Sequence, residues 1–243
     1  MTTRQRIDRL LVERGLFESR ARAQAAIAAG LVRVDGLPVR RSSDEVAVDA
    51  AIEASPEHPW VSRGGVKLSA ALDAFEIDPA GRTCLDVGAS TGGFTDVLLA
   101  RGARRVYAVD VGRAQLHPRL RGRPEIISLE ETDIRSATPI QIPEPADIVV
   151  VDASFISLKL VLPAATGFAL PHATLVALVK PQFEAERRAI KKGIVRDAAV
   201  HERICGEMTD FVRTLGWRVM GIIPSPIAGG DGNQEFLLGA ARD

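Results

Sequence analysis

The sequence predicts an α/β protein in two parts: a mainly parallel sheet with helices on both faces, preceded by a small α+β module. Three observations carry this. From residue 83 onward, apolar runs of four or five residues alternate with helix-length segments, the pattern of strands buried on both sides. Before residue 60 the elements are short, arginine-rich and change period quickly. Between them, Ser55-Pro56-Glu57-His58-Pro59-Trp60 has two prolines that hold the preceding residues extended, giving a short semi-rigid connector. The division expected is 1–58 for the module, 59–63 for the linker and 64–243 for the larger domain. With 243 residues, 46% of them hydrophobic, both parts can bury cores.

In the module, Ile7, Leu10, Leu11 and Leu16 fall near helical spacing and predict a first helix stopped by Gly15. Ser19 is placed as the N-cap of a second helix, with Ala23, Ala26 and Ile27 facing inward and Gly30 ending it. Leu31 to Val34 then alternates and turns at Asp35-Gly36, a hairpin signal, and Val46, Val48 and Ile52 suggest one further short strand. In the larger domain, Val66, Leu68, Leu72 and Phe75 predict a helix ending before Pro79. Strands follow at 83–87, 106–109, 126–129, 148–151 and 175–179, with helices after the first, around 160–168 and around 201–215. The last strands, 218–223 and 235–238, lie too close in sequence for a crossover, so the sheet is expected to end antiparallel.

Charge is balanced at 31 basic and 31 acidic residues, so composition alone indicates no polyanionic partner. Its distribution does: nine arginines lie in residues 1–41 and seven in 101–123, the latter against Asp110 alone. Solvated helix faces are the plainer explanation of the same runs. Cys84 and Cys205 support neither a disulfide framework nor metal-ligand spacing, so no metal is expected. Without a signal peptide after Met1–Arg9 or an 18-residue uncharged apolar run, the expected location is the cytoplasm, with no membrane partner.

A cofactor site is expected where parallel strands end. Asp86 and Gly88 close the first large-domain strand, and Gly88-Ala89-Ser90-Thr91-Gly92-Gly93-Phe94 follows as a turn that lets a ligand approach the backbone. Its G-x-x-x-G-G spacing is neither the G-x-G-x-x-G of dinucleotide sites nor a phosphate-binding loop. Asp110, closing the second strand, can accept ribose hydroxyls, and Asp133, after the third, can meet an adenine amino group. Together these residues fit S-adenosylmethionine; the competing explanation is that the aspartates cap the helices that follow. Asp152 and Lys180 close the fourth and fifth strands after apolar runs and emerge at the same rim, where each offsets the other's desolvation.

At this point several segments together resemble one family. Ile7-Asp8, Leu10-Leu11, Gly15, Ser19-Arg20, Ile27, Gly30, Val32 and Val34 resemble an S4 RNA-binding module. Residues 61–68, 85–95, Ser154 to Leu158, Val179 to Glu184 and Gly232 to Phe236 resemble the TlyA family of ribosomal RNA 2'-O-methyltransferases and haemolysin-named proteins. That resemblance covers nearly the whole chain. It implies a Rossmann-like, FtsJ-like (heat-shock RNA methyltransferase-like) domain behind an S4-like domain. The implied activity is S-adenosylmethionine-dependent 2'-O-methylation of a cytidine in large-subunit ribosomal RNA. It also implies a catalytic set at Lys67, Asp152, Lys180 and Glu235, cofactor contacts from Asp86, Gly88, Ala89, Ser90, Gly92, Gly93, Phe94, Asp110, Asp133 and Asp152, and ribosomal RNA or a ribosomal subunit as partner. Because the chain stops at Asp243, soon after its last strand, a short form confined to the large subunit is expected.

Arg4, Arg6, Arg14, Arg20, Arg22 and Arg63 are the RNA-contact candidates. Arg187, Arg188, Lys191 and Lys192 lie in a loop near Lys180 in sequence, either closing over substrate or simply solvated, and Trp60 either stacks on a base or packs the seam between the two parts. The rival functions are a catalytically inactive RNA-binding assembly factor, which the complete catalytic set disfavours, and a membrane-active haemolysin, for which no apolar helix argues.

Overall fold

The computed structural model describes residues 3–242, and the chain divides between Pro59 and Trp60 into two compact units. In the first unit, β1 (Arg4–Arg6) leads directly into α1 (Ile7–Glu13), followed by α2 (Arg20–Ala28), β2 (Val32–Val34), β3 (Leu37–Pro38), β4 (Glu45–Ala47) and β5 (Ile52–Ala54). Ser19 caps α2 by accepting from the Arg22 N–H. The β2–β3 hairpin turns through Asp35 and Gly36 at φ +50° and +75°, the primed-turn geometry that matches strand twist. Ile7, Leu11, Phe17, Ala23, Ala26, Ile27 and Val32 form the core.

Two expectations for this unit need correction. Leu16 is 43% exposed, because Gly15 at φ +69° has already ended the helix and its spacing no longer applies; Phe17 fills the core instead. Where one strand was expected from Val46, Val48 and Ile52 there are two, since the chain turns at residues 48–51 and sends β4 to β1 but β5 to β2. Asp8 is fully buried beneath the first helix pair, accepting from Arg20 at 2.7 Å, Gln24 at 2.9 Å and Arg6 at 3.1 Å. Those donors hold its carboxyl far below the usual range.

The second unit runs α3 (Gly64–Ala74), β6 (Thr83–Val87), α4 (Gly93–Ala100), β7 (Arg105–Val109), β8 (Ile126–Leu129), β9 (Ala146–Val151), α5 (Leu158–Gly167), β10 (Ala169–Val179), α6 (Pro181–Glu184), α7 (Ala198–Thr214), β11 (Arg218–Pro224) and β12 (Phe236–Ala241). Its seven strands lie in the order β11-β12-β10-β9-β6-β7-β8. All neighbours pair parallel except β12, which is antiparallel to both β10 and β11, as the short final connection requires. Alternate residues of the central strands face opposite cores. Leu85, Val87, Val149, Val151 and Leu175 pack with α5 and α7, whereas Cys84, Ile148, Val150, Val176 and Leu178 pack with α3 and α4. This two-sided burial is why those strands read as unbroken apolar runs. β10 begins at Ala169 rather than Leu175, since β9 supplies it with a parallel partner as far back as Ala146.

Residues 60–63, expected as linker, belong to the second unit. Val61 is buried there and its N–H donates to Asp96 Oδ2 at 2.9 Å, while the Trp60 ring lies where any side chain on Gly65 would collide. Among the described residues no helix is long and apolar enough to cross a membrane.

Candidate active site

Glycines bring the site together. Gly88, at φ +83°, sits so close to the end of β9 that an added Cβ would lie 2.6 Å from the Asp152 carbonyl oxygen. The turn after β6 is thereby pressed against the residue that carries Asp152. Gly93 opens α4 where its Cβ would come within 3.0 Å of the Gly65 nitrogen, so the starts of α3 and α4 meet and Lys67 stands beside the glycine turn. On the other side, Asp110 accepts from the Ser90 N–H at 2.8 Å and the Gly112 N–H at 2.7 Å, tying the turn to the end of β7.

Two hollows open here. The larger, about 560 Å³, is lined by Gly88, Ser90, Asp110, Asp133, Asp152 and Phe155 among others. The smaller, about 130 Å³, is lined by Lys67, Gly88, Ala89, Gly93, Phe94 and Asp152. Asp152 borders both. The larger hollow falls in the roughly 300–1,000 Å³ range of small-molecule sites. Its acidic rim of Asp110, Asp133 and Asp152, beside the backbone of Gly88 and Ser90, fits a cationic nucleoside such as S-adenosylmethionine.

Not every expected cofactor residue reaches a hollow. Gly92, at φ +91°, faces Leu116 and Leu120. Asp86 is fully buried, with Oδ2 accepting from the Thr95 hydroxyl at 2.6 Å and Oδ1 lacking a hydrogen-bond partner among the described residues. Burial pushes its carboxyl up to about 7, opposed by the Thr95 bond and reinforced by the charge of Asp152. Asp133 lines the larger hollow, yet its carboxylate also caps the short 3-10 helix Ile134–Ser136 and grips Arg135 at 2.5 Å, the capping alternative in part. Arg135 holds its carboxyl below the usual range.

The four expected catalytic side chains form two ion pairs. Lys180 Nζ lies 2.6 Å from Asp152 Oδ1 and donates to the Ser154 hydroxyl at 2.7 Å. Lys67 Nζ lies 2.5 Å from Glu235 Oε2. Strand register accounts for their proximity: Ala177 pairs with Val151 and Val179 with Phe236, so Asp152, Lys180 and Glu235 all leave the sheet at one edge. Both lysines and Glu235 are buried. Close behind Glu235, Gly229 leaves no room for a Cβ, which would lie 2.5 Å from Oε1.

Sequence reasoning assigned no role to Ser154, Phe155 or Glu184. Glu184 accepts from the Ser157 hydroxyl at 2.5 Å and the Leu158 N–H at 2.7 Å, fastening α6, and with it Lys180, to the loop after β9. Phe155 is 91% exposed at φ +63°, with its ring 5.2 Å from that of Phe183. The run Ser154-Phe155-Ile156-Ser157 directly after an apolar strand was the available signal; its left-handed residue was not visible in it.

The arginine candidates are mostly engaged within their own units. Arg6 and Arg20 hold Asp8, Arg4 reaches the Glu45 carbonyl, Arg14 the Ala50 and Val48 carbonyls, Arg22 the His58 carbonyl and Arg63 the Ala228 carbonyl. Of the loop cations after α6, Arg188 pairs with Glu186, and an Asn233 amide, bonded to Val195 N and Gly193 O, secures the loop's end.

A family model described as FtsJ-like methyltransferase matches residues 60–242, and an S4 domain model matches residues 5–52. The 16S/23S rRNA (cytidine-2'-O)-methyltransferase TlyA of Mycobacterium tuberculosis (strain ATCC 25618 / H37Rv) is 46% identical over 241 residues, covering 98% of this chain and 90% of that protein. Hemolysin A of Brachyspira hyodysenteriae is 38% identical across 96% of this chain and 98% of its own length. A solved structure from Streptococcus thermophilus, provisionally described as a hemolysin, superposes with a TM-score of 0.77 at 40% identity, covering 100% of this chain and 90% of that one.

Proposed function

Given that the chain belongs to the FtsJ-like methyltransferases and, within them, to the TlyA family, we propose that it methylates the ribose 2'-hydroxyl of a cytidine in ribosomal RNA, most directly that of the large subunit, using S-adenosylmethionine. The observation that carries the reading is Asp152, paired with Lys180 at 2.6 Å, on the wall shared by the two hollows.

S-adenosylmethionine supplies an already activated methyl group, so the protein's task is alignment and removal of one proton. Gly88, Ser90, Asp110 and Asp133 would hold the cofactor in the larger hollow, the latter two toward its ribose and adenine. The smaller hollow takes the target ribose. Lys180, kept in place by Asp152 and Ser154, hydrogen-bonds the 2'-oxygen, and the Lys180–Asp152 pair receives its proton as the carbon–oxygen bond forms. Lys67 and Glu235 position the nucleotide from the opposite wall. The S4 unit would add phosphate contacts through the outer edges of Arg4, Arg6, Arg14, Arg20 and Arg22, with Arg63 beside the catalytic pocket; Asp8 presets two of these forks. Such a substrate implies work where ribosomes are assembled, in the cytoplasm.

The test is mass-spectrometric mapping of 2'-O-methyl groups after incubating the protein and cofactor with separated ribosomal subunits. A new methyl on a large-subunit cytidine is expected. The absence of any new ribose methyl in either subunit would overturn the reading.

A further inference from the structure

The second arginine run noted in the sequence is not absorbed by the active site, and the structure separates it into two parts. Arg101, Arg104 and Arg105 are paired with Asp73 and Glu144 and are structural. The connection between β7 and β8 is different: after Asp110, which is tied to the glycine turn, residues 111–125 hold Arg113, Arg119, Arg121 and Arg123 against Glu125 alone. All four arginines are exposed. Arg119 has no side-chain acceptor among the described residues, and Arg113 has only Glu131, at the 4.0 Å limit, with both of those side chains well exposed. Arg121 spends its guanidinium on the Leu116 and Ala114 carbonyls, shaping the turn, and Arg123 faces Glu125 at 2.9 Å. The nearby Glu130 has its carboxylate bonded to the Ala114 and Gln115 N–H groups, and its charge acts on Arg121 rather than on Arg113 or Arg119.

This connection is also firmly mounted. Leu116 and Leu120 are buried and press on Gly92 of the glycine turn, the Leu116 Cδ1 lying 2.8 Å from where a Cβ would stand. The His117 N–H donates to the Thr91 carbonyl at 3.1 Å, and Val111 and Gln115 line the larger hollow. A surface arginine that merely solubilises needs no such anchorage. Here a cluster of exposed guanidinium forks is fixed to the same turn that shapes the cofactor cleft.

We propose that residues 111–125 form an RNA-backbone docking surface of the second unit, in which Arg113 and Arg119 each contact a phosphate flanking the target nucleotide. The inference rests on the RNA substrate proposed above. Planar guanidinium forks match phosphate oxygens in bidentate fashion, and with few acidic partners these two lose little by turning to an RNA strand. Such contacts carry no base preference; they fix where the strand lies relative to the catalytic pocket.

The experiment compares wild type with Arg113→Gln/Arg119→Gln and with the control Arg203→Gln, an α7 arginine in an exposed pair with Glu207. Binding to the ribosomal subunit that wild type methylates is measured across a salt series, with calorimetric titration of S-adenosylmethionine alongside. The double variant is expected to bind more weakly and to show a log–log salt slope shallower by about 1.4–1.8, roughly 0.7–0.9 per phosphate contact removed. Cofactor affinity should match wild type, and the control should match it throughout. A double variant with wild-type RNA affinity and slope would overturn the proposal while leaving methylation by wild type intact. Equal slope losses in variant and control would overturn it too, by reducing the effect to general charge. Failure of the wild type to methylate any subunit would instead strike the functional reading beneath it.

Discussion

The two lysine–carboxylate pairs are built from the same chemistry and differ in what surrounds them. In Lys67–Glu235 the side chains are 10% and 4% exposed, and among the described residues neither has another side-chain hydrogen-bond or ion-pair partner. In Lys180–Asp152 the aspartate keeps 19% exposure, borders both hollows, and shares its lysine with Ser154. A buried pair without a third partner resists rearrangement because separating it strands a charge out of water. An open pair with a third hydroxyl can exchange partners, which a group handling a substrate proton must do. On the proposed function, that difference is the ground for giving positioning to the first pair and the reacting role to the second. Asp86 completes the contrast as a buried carboxylate with no paired cation among the described residues.

Removing the reacting lysine should have the largest consequence. Lys180→Ala is expected to lower methyl transfer by roughly 10²–10⁴-fold, read by labelled-methyl incorporation, with cofactor affinity preserved in calorimetric titration. Near-normal turnover with only a raised KM would make Lys180 another clamp. Lys67→Ala strands the Glu235 carboxylate and should cost about 3–5 kcal/mol in urea unfolding. The Lys67→Met/Glu235→Met double variant should recover most of that stability without recovering activity. If the single variant unfolds at the wild-type urea midpoint, the Lys67–Glu235 pair is not holding this edge of the sheet.

The smallest effect concerns Asp86. Its folded pKa, about 7, lies above the ordinary value of 3.8, so the folded state binds the extra proton. That contribution is complete below pH ~4 and is lost as pH rises through about 7, at a slope approaching 1.4 kcal/mol per unit. Asp86→Asn keeps the shape, removes the titration and should flatten this part of the stability–pH profile relative to wild type. Parallel profiles for the two proteins would mean that Asp86 stays ionised in the fold.

Much of the larger unit was legible because two-sided burial writes itself as apolar runs, and charged residues ending those runs must emerge at one rim. Asp110, Asp152 and Lys180 were found that way, whereas Lys67 and Glu235 depended on family likeness, since a lone helix lysine and a strand-edge glutamate have no local signature. The module was harder. Strands of two or three residues carry too little period to count, so β1 went unseen and β4 and β5 merged into one, and Leu16 looked helical although Gly15 had already turned the chain.

Local chemistry therefore determined the elements, their burial and the rim where charge collects, because backbone preference and apolar period act over a few residues. Partner choice was decided only in three dimensions. Whether an arginine meets Asp8, Glu144 or open solvent, and whether Asp86 reaches a ligand or lies beneath the turn, depends on distances between segments far apart in the chain. Such distances follow from strand order and close glycine contacts, and neither is encoded in any single stretch of residues.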